Sequence, residues 1–217
     1  MSNYHHTYPF VFKHQGAAIG IAPILPPNDV QVARLLPFLP PHFHERRRNE
    51  WLCSRILLEK VSGKEAHSLQ YTPEGKPFFP DDGKIGISHS RQFAAVIWHP
   101  QLEVGIDVEE LRPQLFKIKE KFLSATELAI LHPEDLHTLT AFWCAKEALY
   151  KWYGLKELQF NQHIVLQNVQ LTCPEQAPIS GFIDAVVKKN SIALRAAVQV
   201  TQFQNTILAY VIANGQV

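Results

Sequence analysis

Four β-like runs close this chain with no helix between them, at residues 164–172, 181–187, 191–200 and 206–212. Parallel neighbours need a crossover of a dozen or more residues, usually a helix, and these gaps are too short for one. The sheet they form is therefore expected to be antiparallel. Just before it lies the strongest helical stretch of the chain, 136–153, which Gly154 stops. A long helix followed by an antiparallel sheet describes an α+β lobe with one core between its layers.

The first half repeats that order. Residues 17–24 read as a short buried strand ended by Pro26 and Pro27, and Asp29 opens a helical stretch over 30–38. A longer helix follows over 45–61, with Trp51, Leu52, Ile56 and Leu58 as its core face. Residues 71–80 read as loop, and 84–88 and 93–98 as two strands joined by a polar turn. Residues 103–109 read as a strand again and 115–122 as a mixed helix. Ser124 stands three residues before Glu127, the capping-box spacing for a helix over 125–131. Gly20-Ile21 and Gly105-Ile106 open corresponding strands, and Trp51 and Trp143 lie inside corresponding helices. The expectation is two pseudo-symmetric lobes, 1–103 and 104–217, with a ligand at their seam. Where the first lobe has Ala22, Ile24 and Arg55, the second has Asp107, Glu109 and Glu147. The second lobe carries the carboxylates.

A chain of 217 residues with 46% hydrophobic side chains buries enough apolar surface to fold without disulfides. Its three cysteines, Cys53, Cys144 and Cys173, are far apart and form no CxxC pair, which points to reduced thiols and a cytoplasmic setting. A formal net charge of +1 gives no bulk attraction to nucleic acid or to an anionic membrane. No apolar run approaches the roughly 18 residues a spanning helix needs. Any anion site must be local, and Arg46-Arg47-Arg48 is the one dense basic cluster.

Asp107 and Glu109 are two residues apart in a strand, so both leave the same face. Such a pair is either a solvated strand face or a site for a hard cation, and magnesium takes a few carboxylates with phosphate and water completing its shell. On this spacing the two groups only repel, so Asp107→Ala is expected to leave the metal-free fold intact. Apolar residues surround the 136–153 helix, yet Lys146, Glu147 and Lys151 sit in its middle. Glu147 and Lys151, four apart, share a face: they form an ordinary helix bridge or point into a ligand cleft.

Ser88-His89-Ser90 fails as a hydrolase dyad, because neighbours in an extended segment point to opposite sides. Its hydroxyls and imidazole suit an anion, or else simply fill a polar turn. Gly75-Lys76-Pro77 is a rigid turn presenting one lysine. His42 and His44 have a spacing that could serve zinc, but no partner ligand is near in sequence, so they read as surface histidines. No glycine-rich nucleotide loop is present, and any phosphate must be held by side chains and metal.

Taken in order, Gly75-Lys76-Pro77, Ile87-Ser88-His89-Ser90, Gly105-Ile106-Asp107-Val108-Glu109 and Phe142-Trp143-Cys144-Ala145-Lys146-Glu147-Ala148 with Lys151 resemble the signature of the Sfp-type phosphopantetheinyl transferases. Phe122-Leu123-Ser124-Ala125-Thr126-Glu127 adds to it. The resemblance is close from about Tyr71 to Tyr153, looser in the N-terminal helix, and limited to strand pattern after about Val165. It implies two pseudo-symmetric α+β lobes with coenzyme A and magnesium at the seam. It implies a metal held by Asp107, Glu109 and Glu147, with Asp107, Glu147 and Lys151 as the catalytic set and Glu147 as the candidate base. Ser88, His89 and Lys151 would meet phosphates, and Lys76 with the basic helix would face the 3′-phosphate and adenine. Among Arg47, Arg48 and Arg55 the resemblance does not choose. The implied reaction moves phosphopantetheine from coenzyme A to a serine of an apo acyl or peptidyl carrier protein, in a monomer that completes its own site. The competing readings are a metal-dependent phosphodiesterase and a non-enzymatic coenzyme A or carrier-protein binding module.

Overall fold

The computed structural model describes residues 9–26, 29–80, 83–172 and 178–215. Pro27 and Cys173 lie outside them. In chain order the elements are β1 (Phe10–His14), β2 (Ala17–Pro23), α1 (Asp29–Leu35), α2 (Glu45–Ser62), β3 (Gln70–Tyr71), β4 (Pro77–Phe78), β5 (Lys84–His89), β6 (Phe93–His99), β7 (Glu103–Glu110), α3 (Lys119–Phe122), α4 (Ala125–Ile130), α5 (Leu136–Tyr153), α6 (Phe160–His163), β8 (Ile164–Thr172), β9 (Ser180–Lys189), β10 (Ile192–Phe203) and β11 (Thr206–Ala213).

The first sheet has strand order β1-β2-β6-β5-β4-β3 and the second β7-β11-β10-β9-β8, with every neighbouring pair antiparallel. Setting β1 aside, the two orders are the same: the first strand of the unit pairs with its last, then the chain is followed backwards. Each unit also inserts its long helix, α2 or α5, after its first strand. The sequence echo therefore marks a real repeat of topology.

Its glycines have a packing cause. A Cβ on Gly20 would come within 2.5 Å of Val61 on α2, and one on Gly105 within 2.0 Å of the Ala148 carbonyl on α5. In both units the helix lies directly on the first strand, and only glycine permits that approach. Leu52, Leu57 and Leu58 of α2 pack on Ala18, Ile85, Ala94 and Val96, while α5 covers Ile207, Ala209 and Val211. The opposite faces of the sheets meet through Ile19, Ile21, Ala95, Ile97, Ile106 and Leu208. The layers run helix, sheet, sheet, helix.

The helix ends follow their caps. His44, one of the HxH pair, accepts the Arg47 amide through Nδ1 at 3.4 Å and caps α2; Gly63 closes that helix at φ 70°. Asp135 caps α5 by accepting from the Thr138 amide at 2.9 Å, and Gly154 ends it at φ 74°. Ser124 and Glu127 form the expected capping box.

Some expectations need correction. The stretch 113–122 is a 3-10 turn, Pro113–Lys117, and the separate short α3, broken at Ile118. The loop over 71–80 contains part of the two-residue ladder β3–β4. Strand β1 was not anticipated. Its hairpin turn, Gln15-Gly16, has both φ values positive, as a two-residue turn between antiparallel strands requires. Cys53 and Cys144 are free and buried. No helix among the described residues is long and apolar enough to cross a membrane.

Candidate active site

Strand β7 is the edge of the second sheet, and β5 of the first lies against it. Gly86 makes this possible, since a Cβ there would stand 3.1 Å from the Ile106 side chain. The approach brings Ser88 to Asp107: Ser88 Oγ donates to Asp107 Oδ1 at 2.7 Å. From α5, Lys151 Nζ donates to the same carboxylate oxygen at 2.7 Å and to Ser88 Oγ at 2.8 Å. Asp107 is only 4% exposed, and its second oxygen, Oδ2, is buried with no hydrogen-bond partner among the described residues. A buried carboxylate oxygen without a donor is costly and calls for a cation or donor from outside the chain.

The other two carboxylates stand around it. Glu109 Oε1 accepts from the Trp143 indole at 2.8 Å, and Oε2 faces Arg112 at 3.3 Å. Glu147 accepts no hydrogen bond from any described residue. Burial pushes the Glu147 carboxyl up to about 7, Asp107 and Glu109 add to the rise, and Lys151 and Arg112 oppose it. Burial, then Asp107, raises Glu109 as well. For Lys151 burial favours the neutral amine, but Asp107 and Glu147 outweigh it and the pKa is raised. The site therefore holds more negative charge than its own cations neutralise.

Opposite the carboxylates, α2 supplies positive charge. Arg55 is 6% exposed, its guanidinium 4.8 Å over the Trp51 ring and hydrogen-bonded to the Tyr71 hydroxyl and to Ser54. Among the described residues no carboxylate pairs with it. A guanidinium stays ionised, so this buried charge awaits an anion. Arg47 contacts His89 Nε2 and bonds Glu50 at 3.1 Å. Burial lowers the His89 pKa; Glu50 opposes this, and Arg47 and Lys151 reinforce it. Between the two groups lies a cleft of about 360 Å³ lined by Arg47, Arg55, Tyr71, His89, Asp107 and Lys151, among others.

Ser88, His89, Asp107, Lys151 and Arg47 are thus brought to one cleft, with Glu109 and Glu147 beside Asp107. Ser88 and His89 point apart, Ser88 to Asp107 and His89 to Arg47. Ser90 is spent on Glu110, which also receives the Gln92 amide at 2.8 Å and so braces the hairpin turn. Arg48 does not line the cleft. Lys76 lies elsewhere, its ammonium 2.5 Å from Glu103 and 3.0 Å from the Trp152 carbonyl. Lys146 belongs to the core, fully buried against Glu127. The sequence does not show the part of Trp143, and it does not separate Arg55 from Arg47 and Arg48. The signal for Arg55 was its place four residues after Trp51, a helical spacing that puts a cation over a ring.

Among the described residues no three carboxylate, imidazole or thiol groups stand in metal-holding geometry. The donor chemistry nevertheless fits a hard divalent ion: three mutually repelling carboxylates, one with an unpartnered buried oxygen.

An α+β pair of matching lobes, with carboxylates facing arginines across a cleft, is the equipment of an enzyme acting on a phosphorylated substrate. Comparison with known proteins narrows the class. Residues 103–201 match the 4′-phosphopantetheinyl transferase superfamily. The chain is 30% identical over 183 residues to the 4′-phosphopantetheinyl transferase AcpT of Escherichia coli K12, covering 68% of this chain and 88% of that protein. It is 30% identical over 141 residues to the 4′-phosphopantetheinyl transferase Sfp of Bacillus subtilis, covering 56% of this chain and 62% of that protein. The chain belongs to the 4′-phosphopantetheinyl transferase superfamily.

Proposed function

We propose that the protein transfers the 4′-phosphopantetheine group of coenzyme A to a serine of an apo acyl or peptidyl carrier protein, in the manner of a holo-[acyl-carrier-protein] synthase. The observation that carries this reading is the cleft itself, where unpaired Arg55 and the Arg47–His89 pair face the Ser88–Asp107–Lys151 triangle. The serine oxygen attacks the β-phosphorus of the coenzyme, the bond to the bridging oxygen breaks, and 3′,5′-ADP leaves. The serine proton passes to Glu147, a carboxylate that accepts no hydrogen bond from any described residue. Arg47, Arg55 and His89 orient the nucleotide phosphates, and Lys151 meets charge near the reacting phosphorus. Asp107, Glu109 and Glu147 would hold magnesium, which supplies neutralisation of the pyrophosphate charge when bound. Positioning and charge neutralisation are the main demands of such a transfer.

We take the lobe boundary between 103 and 104, at the start of the strand that opens the second sheet, and the working unit as a cytoplasmic monomer. The deciding experiment incubates the protein with coenzyme A, magnesium and a panel of apo carrier proteins. Mass spectrometry should show one phosphopantetheine group added to a carrier. Hydrolysis of coenzyme A with no carrier modified would instead make the protein a phosphodiesterase, and no turnover with tight coenzyme binding would make it a binding module.

A further inference from the structure

Lys76 sits on the Gly75-Lys76-Pro77 loop beside the first sheet, yet both contacts of its ammonium are with elements that build the second sheet's layer, β7 and α5. Its ammonium pairs with Glu103, the first residue of β7, and donates to the carbonyl of Trp152, in the last turn of α5. The final carbonyls of a helix lack partners within it and carry the negative end of its dipole, so a lysine there satisfies an open acceptor and meets favourable charge. Gly154 is shaped for this contact. Its φ of 74° favours glycine, and a Cβ there would stand 2.9 Å from the Lys76 side chain. The contact is well shielded, with Lys76 and Glu103 side chains 18% and 22% exposed.

The two elements joined in this way are those that build the catalytic triangle. Asp107 lies four residues after Glu103 on β7, and Lys151 immediately precedes Trp152 on α5. The loop bearing Lys76 is itself rigid: the Thr72 amide donates to the Lys76 carbonyl at 2.9 Å, and the Lys76 amide to Thr72 Oγ1 at 3.2 Å. Gly75 and Pro77 of that loop line the cleft.

We propose that Lys76 is a positioning residue, a clamp that holds the Lys151 end of α5 and the start of β7 against the cleft-lining loop, and that it does not read a coenzyme phosphate. This rests on the transferase reading for its kinetic arm only. Lys84 supplies an internal control, because it pairs with the same Glu103 at 2.7 Å but does not reach α5.

The experiment compares Lys76→Met, Lys76→Gln and Lys84→Ala in two measurements. The first is amide hydrogen exchange of the coenzyme-free protein over residues 150–154. Lys76→Met should exchange about tenfold faster there, and Lys84→Ala at the parent rate. The second is turnover with a carrier protein that the parent enzyme modifies, using coenzyme A and dephospho-coenzyme A. Lys76→Met should lower kcat by about tenfold or more for both coenzymes alike, since small misplacements of catalytic groups are costly. Lys76→Gln, which keeps a donor for the Trp152 carbonyl, should recover most of that rate. A KM rise for coenzyme A that dephospho-coenzyme A does not share would make Lys76 a phosphate reader and overturn the clamp. Unchanged exchange in Lys76→Met, or equal effects from Lys84→Ala, would overturn it as well. If no carrier is modified by the parent protein, the transferase reading fails while the exchange arm still decides the clamp.

Discussion

At Asp107 one carboxylate oxygen receives both Ser88 and Lys151, and the other receives no hydrogen bond from the described residues. Removing the side chain would take from the Lys151 ammonium its hydrogen-bonded counter-charge and leave it Glu147 alone, so Asp107→Ala should cost about 1–3 kcal/mol of stability as well as turnover. The strand spacing alone suggests only repulsion between Asp107 and Glu109 and hence no such cost; the compensating lysine comes from a helix 44 residues on. Asp107→Asn keeps an acceptor for the lysine and should melt closer to the parent while remaining as inactive. Paired thermal melts and rates separate the two contributions.

Glu147 presents a different balance. Its carboxyl is raised from 4.5 to about 7 in the folded chain. Across that window the folded state holds a proton that the unfolded state has released, so metal-free stability should fall as pH rises from about 4.5 to 7. Glu147→Gln should shrink that fall, leaving the part due to Glu109, and melt higher than the parent at pH 8. The same variant tests the chemistry. If Glu147 is the base, saturating magnesium will leave a deficit of about 10²–10⁴-fold and the acid limb of the pH profile will flatten. Near-complete rescue by magnesium, with the limb unchanged, would reduce Glu147 to a metal ligand.

Helix α5 carries three charged residues in its C-terminal half that sequence alone cannot tell apart. Lys146 turns inward, where Glu127 Oε2 at 2.7 Å and the carbonyls of Phe160 and Ile164 take all three of its protons. Glu127 in turn accepts the Ser124 and Leu166 amides, each at 2.7 Å. With both side chains at most 1% exposed, breaking either one should cost about 3–5 kcal/mol, because the partner is left as an unpaired buried charge. Lys146→Met and Glu127→Gln together should therefore cost less than their sum in urea titrations. Two equal, additive losses would show that the residues do not act as a pair. The capping-box spacing correctly located Glu127 at the start of α4, but nothing local shows that the same carboxylate reaches across to α5. That is the general limit here. Apolar periodicity, with Gly154 as the stop of α5, places α2 and α5 to within a residue, since those signals are local. Strand β1 escapes the pattern although Gln15-Gly16 offers a turn, and 115–122 reads as a mixed helix because apolar spacing does not distinguish a 3-10 turn from an α-helix. At the site, the second lobe's carboxylates were legible from a shared strand face and an apolar helix. Which arginine enters the cleft and where Lys76 points were not, because both depend on how one lobe meets the other.

Across the whole molecule the repeat has been put to two uses. The positions matched in the two halves carry Ala22, Ile24 and Arg55 in the first and Asp107, Glu109 and Glu147 in the second. The same fold unit thus presents Arg55 from α2 and Asp107 from β7 to one shared cleft, with Glu109 and Glu147 beside Asp107. If the first unit binds the ground-state nucleotide and the second meets the transition state, substitutions should divide by lobe. Interactions equal in both states change KM alone, whereas those made only in the transition state lower kcat. Arg55→Met keeps the apolar stem that lies on Trp51 but removes the buried charge, so the fold should be no less stable and coenzyme binding weaker. It should raise KM for coenzyme A by about ten- to a hundredfold, the loss of one charge-assisted contact of roughly 1.5–3 kcal/mol, with kcat nearly unchanged. Lys151→Met should do the opposite, lowering kcat at saturating coenzyme. Lys76→Met, although it lies in the first lobe, should follow Lys151, because its contacts are with β7 and α5. Steady-state kinetics on these three variants, with dephospho-coenzyme A run beside coenzyme A, would settle the division. A large kcat loss in Arg55→Met with KM unaltered would mean that Arg55 acts on the reacting phosphate and that the lobes do not share the work in this way.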